Sequence, residues 1–404
     1  MIELVDLSTE IIIKIFEYCV IRDLCNLQQA CKRFNEIIQK STTLGNTHPL
    51  LCTNQLHRSI RNSSHVLLPL RQKYRISANW KNAIYKETVV VKEKKKYIPH
   101  FVLRKDSLWL SKGNQINMYK RKKNKYLDVE GVKHITLPRT IDVSKFKIRN
   151  RCLVSGQSDG SIYIWQSTDD NILLSDCHES DVHTVDLTDD IFVSGSKDNT
   201  IKLWPLKSKL QLPYPCIKTV SMGDRIWSTS FCEKEKYLAV GTAGHNSIAP
   251  LHIFDLNRFV VISELGKNLS KGSGILDLKW ENPYTLLSCG YDKNVRYWDL
   301  RIGKCVRTWC DPFYATVYCI DTDNCCTLLS GTQSHGRVVL WDMRSVRYIQ
   351  LYFMETCRNS FRSSPIYRLS FDACQLFTAT DSNLHVLDFS VKTGVSKDYR
   401  IHQF

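Results

Sequence analysis

Between residues 153 and 389 the chain writes nearly the same phrase six times. The clearest copies are Leu153–Trp165, Phe192–Trp204, Leu286–Asp299 and Leu328–Asp342; weaker ones close on Phe254-Asp255 and Leu387-Asp388. Each reads as a strand ending in a small residue, a tight turn such as Asp159-Gly160 or Asp198-Asn199, and a second strand closing on a large apolar residue. Closing residues fall 39 to 50 positions apart. About four short strands per ~40–45 residues is the period of a β-propeller blade. Such a fold presents a binding face and does not by itself supply a reaction site.

The phrase carries scaffold chemistry. Ile162 and Ile164 alternate with Tyr163, and Ile201 and Leu203 with Lys202, the two-residue period of a packed strand. Asp-Gly and Asp-Asn tolerate positive φ and so reverse the chain tightly. The closing Trp buries a large ring whose N–H needs an acceptor. These residues resemble the WD40 family, in which the turn Asp, a strand Ser or Thr, an upstream His and the Trp form one hydrogen-bonded set. The third blade has the fullest version, His178, Asp198 and Trp204; elsewhere His335 and Ile248 stand at the Asp position and Leu387 replaces Trp. One period before Trp165 lies Tyr119, in a strand–turn–strand stretch. Seven closing positions result: Tyr119, Trp165, Trp204, Phe254, Trp298, Trp341 and Leu387, and 99–404 divides into blades of roughly 44 residues. The ring must pair its ends, because an open edge invites aggregation. Thr88–Val91 or Val395–Ile401 could supply that strand, and the sequence leaves both open.

Residues 1–45 follow a different grammar. Ile11, Ile12, Ile15, Phe16 and Cys19 recur at helical spacing behind Ser8, a good N-cap. Leu24, Leu27, Cys31, Phe34 and Ile38 recur likewise behind Asp23, predicting amphipathic helices over 8–19 and 23–39. So short a segment cannot bury an independent core, which points to a helical partner. Leu4–Ile38 resembles the F-box, on Leu7, Glu10, Ile15, Phe16, Leu24, Cys31-Lys32-Arg33 and Phe34, with Ser8 in place of the usual Pro. The intervening residues 46–98 are polar and basic, with a helical stretch Leu70–Tyr85 whose Tyr74 and Trp80 are expected to dock on neighbouring elements. The expected architecture is mainly β: an F-box (1–45), a helical, basic linker (46–98) and a seven-bladed propeller (99–404). By layout it looks most like the dactylin branch of F-box/WD40 proteins.

Composition narrows the remaining options. The formal charge of +16 is concentrated in Lys92–Lys96 and Lys120–Lys125. The second run does not interleave aromatics for base stacking, so a solvated loop is expected first, a nuclear-import patch or contact with an acidic partner next, and nucleic acid is disfavoured. The sixteen cysteines form no paired CxxC pattern; several, such as Cys31, Cys152, Cys289 and Cys319, fill small apolar positions, which predicts free thiols and no metal. The N-terminus lacks a basic signal region and no 18-residue apolar run exists, so neither secretion nor a membrane partner is expected; a cytoplasmic or nuclear site is. No P-loop, GxSxG, HExxH or Cys–His nucleophile pair stands outside the repeat grammar, so no catalytic residue, cofactor or enzymatic activity is expected.

The resemblance implies the substrate-recognition subunit of a Skp–cullin–F-box ubiquitin ligase. It would bind a Skp-type adaptor, and through it a cullin and a RING subunit. The expected adaptor contacts are Leu7, Ile11, Ile12, Ile15, Phe16, Leu24, Leu27, Cys31 and Phe34. Partners of WD40 propellers dock where loops enter the innermost strands. Aligning the repeats places His183, Trp227, Leu276, Tyr318 and Tyr367 there, with Lys197 and Tyr291 before turn Asp residues and Arg225 nearby. Tyr and Trp anchors suit a protein substrate. Only Arg225, Arg368 and Lys197 could meet phosphate, so an aromatic, mixed-polarity contact is favoured over obligatory phosphate recognition. The rival reading is a WD40 scaffold or RNA-associated propeller whose N-terminal helices pack intramolecularly.

Overall fold

The computed structural model describes residues 3–41, 44, 49–55, 58–122, 126–166, 171–206, 214–232, 237–354, 364–394 and 396–399. Within them, strands form seven antiparallel sheets of four. The inner strands Phe101–Leu103, Val143–Arg149, Val182–Leu187, Ile226–Cys232, Ile275–Asn282, Val317–Thr322 and Arg368–Phe371 follow one another around a ring, the last meeting the first. All seven predicted closing residues, from Tyr119 to Leu387, lie on the third strand outward from the channel. This is a seven-bladed β-propeller.

Closure comes from the N-terminal side. Lys86–Lys92 pairs antiparallel with Asn383–Asp388, Lys86 opposite Asp388 and Lys92 opposite Asn383, around a bulge at Val90. Residues 86–92, read above as linker, are thus the outer strand of blade seven. Buried Glu87 and His385 meet across the seam at 2.9 Å. Of the alternative Val395–Ile401, residues 395, 400 and 401 lie outside the described residues; the N–H of Lys397 instead donates to the Ala83 carbonyl. Of the basic runs, Lys92–Lys96 leaves the seam strand with Lys96 paired to Asp381, whereas 123–125 lie outside the described residues.

Turn chemistry explains why the blades form where they do. Asn199 adopts φ +69° and Gly160 φ +88°; a Cβ on Gly160 would sit 2.2 Å from the His178 carbonyl oxygen. Behind the first of these turns His178 faces Asp198 through Nδ1 (2.9 Å) and Ser194 through Nε2 (2.7 Å), while Trp204 Nε1 donates to the same Ser194 hydroxyl at 2.9 Å. Trp298 and Trp341 repeat the bond with Ser288 and Ser330. Blade six, where His335 occupies the Asp position, substitutes a buried ion pair: Arg337 donates to both carboxylate oxygens of Asp311. Leu387 sits in the core without any polar bond to make.

The N-terminal helices are α1 (Thr9–Glu17), α2 (Ile21–Ala30) and α3 (Lys32–Lys40). The single helix expected over 23–39 is therefore two. Cys31 takes an extended conformation and its Sγ accepts the Phe34 N–H at 3.3 Å, capping α3. Asp23 lies in the first turn of α2, whose N-cap is Val20. Among the described residues that follow are helices α4 (Arg58–Ser63) and α5 (Leu70–Lys81). Trp80 on α5 is fully buried, stacked on Phe389 with centroids 3.7 Å apart, and its carbonyl accepts the Tyr352 hydroxyl at 2.6 Å. Asn79 donates to the Phe389 carbonyl and Gln350 to that of Lys81. Tyr74, expected to dock like Trp80, remains 40% exposed. The linker helix is bolted to blades six and seven, and it carries the N-terminal bundle with it: Leu70 packs on that bundle's core and Arg71 donates to Gln29.

Burial drives the imidazoles of His100, His178, His183 and His252 below their ordinary value, His100 farthest. Each binds a proton less readily folded than unfolded. The stabilisation from holding them neutral is complete above the unfolded value of about 6.5 and drains away as pH falls toward the depressed folded values. Urea midpoints should therefore drop between pH 7 and pH 5, before most carboxylates titrate. Glu281, its carboxyl raised to about 7 by burial, gains stability over the same window. The drop is therefore read in Glu281→Gln, where a flat or rising midpoint would show that these histidines are not buried in the neutral form.

Candidate functional site

Two surfaces lie at opposite parts of the chain. On the helical bundle, Ile12, Phe16, Leu24 and Phe34 are buried, and the rings of Phe16 and Phe34 meet edge to face at 5.3 Å. Leu7, Leu27 and Cys31 are half-buried against the same core. Ile12, Phe16, Leu24 and Phe34 are among the residues expected above to contact an adaptor; in the structure they are buried, because they hold three helices together. Ile11 (49% exposed) and Ile15 (38%) do face outward, and Tyr18 (91%) continues their stripe. Helix α1 thus has two apolar stripes, Ile12 and Phe16 inward and Ile11 and Ile15 outward, the second continued by its C-cap Tyr18. Leu4, Val5 and Val20 add exposed apolar area nearby. Arg33 holds the leading segment down by donating to the carbonyls of Val5 and Leu7. Tyr18 and Val20 escaped the sequence reading, although the i, i+4, i+7 spacing of Ile11, Ile15 and Tyr18 could have shown the first.

At the other site, β-bulges position the side chains. His183, Trp227, Leu276 and Tyr318 are each the extra residue where an inner strand slips register against its neighbour. Tyr367 precedes the inner strand of blade seven, its N–H donating to Ala379, the residue opposite Arg368. A bulge leaves its residue out of ladder pairing and re-aims the side chain. The structure joins these rings into an arc: His183 to Trp227 (4.5 Å), Trp227 to Tyr291 (6.3 Å) and Tyr318 to Tyr367 (5.8 Å, stacked). Burial raises the Tyr318 phenol, and Tyr291 and Tyr367 beside it add to the rise. Lys197 and Arg225 are exposed and act on His183 from one end of the arc, together with Lys145 and the opposing charge of Asp181. His183 Nε2 and Trp227 Nε1 are buried without a hydrogen-bond partner among the described residues. In the loop entering blade six, Phe313 (58% exposed) and Tyr314 (71%) add aromatic surface that the repeat alignment passed over.

Beneath the arc the channel is charged but internally matched. Arg368 reaches Asp277 at 3.2 Å, Lys279 reaches Asp321 at 3.0 Å and Lys147 reaches Asp186 at 3.4 Å. Asp186 and Asp277 also accept the N–H groups of Phe231 and Ile320 on the next blades. Burial brings the Lys145 ammonium down to about 8 despite Asp277. The carboxylates stitch blade to blade and are engaged in doing so. Among the described residues no cluster of His, Cys, Asp or Glu is placed to hold a metal ion.

A repeat propeller preceded by a small helical bundle defines a class, and sequence comparison agrees with the geometry. An F-box-like family model matches residues 6–44, and the WD domain, G-beta repeat model matches 171–205 and 264–299. The chain is similar to the F-box/WD repeat-containing protein 4 of Homo sapiens (32% identical over 394 residues, 95% of this chain and 92% of that one). To the Mus musculus protein of the same name it is 35% identical over 325 residues, 80% of this chain and 78% of that one. The nuclear distribution protein PAC1 of Candida glabrata matches over 46% of each chain at 26% identity. The chain belongs to the F-box/WD repeat family, whose members are generally non-catalytic adaptors.

Because Phe16 is core, Phe16→Ala should act on folding. A loss of about 3–5 kcal/mol is expected from a buried Phe truncation, read as early, separate melting of residues 3–41 by hydrogen exchange. Ile15→Ala, on the exposed stripe, should leave that exchange within error of the parent. Equal protection in the two variants would overturn this division of α1.

Proposed function

We propose that this protein is the substrate-recognition subunit of a Skp–cullin–F-box ubiquitin ligase, acting in the cytoplasm or nucleus. In this reading the outward stripe Ile11, Ile15 and Tyr18, with Val20, docks on a Skp-type adaptor, and the aromatic arc at the channel mouth holds a substrate protein. The observation that carries the reading is the pair of uncovered apolar surfaces joined by one docked helix. An exposed apolar stripe on a small helical bundle marks a partner site, and the arc offers Trp and Tyr anchors of the kind interfaces favour. Ubiquitin would pass from a conjugating enzyme brought by the cullin's RING subunit to a substrate lysine, with this chain contributing effective concentration. The exposed cations Arg225 and Lys197 near His183 suit an acidic element of that substrate. The described cysteines are free thiols, which suits a reducing compartment.

Two variants test the two surfaces separately. Ile11→Asp with Ile15→Asp should melt like the parent and lose adaptor co-purification by more than about ten-fold, since interface anchors are worth at least ~1 kcal/mol each. Trp227→Ala with Tyr318→Ala and Tyr367→Ala should fold and retain the adaptor, yet lose ubiquitination of substrates stabilised by proteasome inhibition. Normal adaptor capture by the first variant would sink the F-box assignment, and normal substrate turnover by the second would show that the arc is the wrong face.

A further inference from the structure

Inner-strand register sorts the channel into levels. Lys145 on blade two and Asp277 on blade five each follow a bulged residue and stand opposite Gly156 and Cys289. Arg368, opposite Ala379, and His100, whose carbonyl accepts the Ser111 N–H, hold the equivalent places on blades seven and one. Three basic side chains on consecutive blades therefore share one level. The other members, Thr184, Ser228 and Cys319, are uncharged and bond to neighbouring blades. Two residues further along, the next level is matched, Lys147 with Asp186 and Lys279 with Asp321. The upper level, nearer the arc, is not. Asp277 is its one carboxylate, already engaged by Arg368 Nη1 and by the N–H groups of Leu278 and Ile320.

Lys145 has no ion pair or hydrogen bond among the described residues, and neither has the second guanidinium nitrogen of Arg368, Nη2. Arg368 keeps 12% of its side chain exposed and Lys145 is half-buried, so both reach the water of the channel. Between them His100 is buried, and both its ring nitrogens lack a partner among the described residues, as does Arg368 Nε. The charges acting on that ring, Arg368, Lys145, Lys147 and Lys279, all line the channel, so the ring looks onto it. Buried polar atoms are as a rule satisfied, and an orphaned imidazole flanked by two cations marks a missing acceptor.

We infer that this level of the channel binds one small monovalent anion of the halide class, between the Lys145 ammonium and the Arg368 guanidinium, with the His100 N–H turned to it. Charge sets the valence. Burial holds His100 neutral, while Lys145, lowered by burial to about 8, stays mostly protonated at pH 7. Against burial, Arg368, Lys145 and Lys279 hold Asp277 ionised. Two cations and one carboxylate leave a single positive charge, which one halide cancels and a divalent anion overshoots. A buried charge without a counter-charge is costly. The ion therefore stabilises the closed ring, and the unfolded chain has no such site. It stands whether or not the arc above it holds a substrate.

The test melts the full chain at pH 7 and constant ionic strength, with bromide replacing gluconate, a bulky anion. Bromide should raise the midpoint saturably, by about 2 °C or more. Bromide is no kosmotrope, so a general salt effect does not produce such a rise. Lys145→Met should lose the bromide-dependent rise and Lys145→Arg keep it, whatever either does to the midpoint in gluconate. In bromide-soaked crystals of the unmodified chain, anomalous scattering should place a peak beside Lys145 Nζ. Water alone at that level would overturn the site without recourse to a variant, and so would a melt that bromide leaves unmoved. An undiminished rise in Lys145→Met would overturn the assignment of the ion to this level.

Discussion

Pairing of Lys86–Lys92 with Asn383–Asp388 is the interaction on which the other parts rest. Without it, blade seven has three strands and the ring an exposed edge. The strand begins a few residues after α5 ends at Lys81, so the helix cannot leave the propeller while the seam holds. Trp80, stacked on Phe389 one residue past the last strand, fixes that helix from the other side. Ring closure and domain orientation are therefore one event. Hydrogen bonds from Asn79 and Gln350 reinforce it, and the N-terminal bundle inherits its position through Leu70.

Inside the ring, the arrangement of charge follows from geometry. Inner strands converge on an axis where bulky apolar side chains from seven blades would collide, so the polar face of each strand turns inward. Polar groups taken out of bulk water need partners. The partners come from adjacent or more distant blades: Asp186 serves Phe231, Asp277 serves Ile320 and Arg368, and Asp321 serves Lys279 and Ser370. Each such bond ties one blade to another, so the blades' relative positions are fixed at the axis as well as at the seam.

What the sequence disclosed, and what it withheld, follows the range of the interactions involved. The seven closing residues were readable because each depends on a turn and a strand within about fifteen positions. His178, Asp198 and Trp204 form their expected network for the same reason. The break at Cys31 was hidden because α3 restarts in phase with α2, leaving the apolar spacing undisturbed. The two stripes of α1 were both visible as apolar, but nothing local says that 12 and 16 turn inward. Phe313 and Tyr314 fall in a loop with no counterpart in the repeat, and the inter-blade ion pairs join residues some forty to ninety positions apart, beyond any local pattern. Tyr74 shows the converse failure: it shares a helix with Trp80, but faces the solvent side of it.

The bulges at the channel mouth bear on how such a protein can change over generations. At His183, Trp227, Leu276 and Tyr318 two residues face one across the ladder, so the bulged side chain has no cross-strand partner to match. Replacing it disturbs neither the Trp–Ser bonds at the blade centres nor the carboxylate ties at the axis. The positions proposed to meet a partner are thereby uncoupled from those that keep the ring intact. A lineage can exchange the aromatic arc residue by residue, acquiring or discarding binding specificities, while selection on folding registers almost nothing.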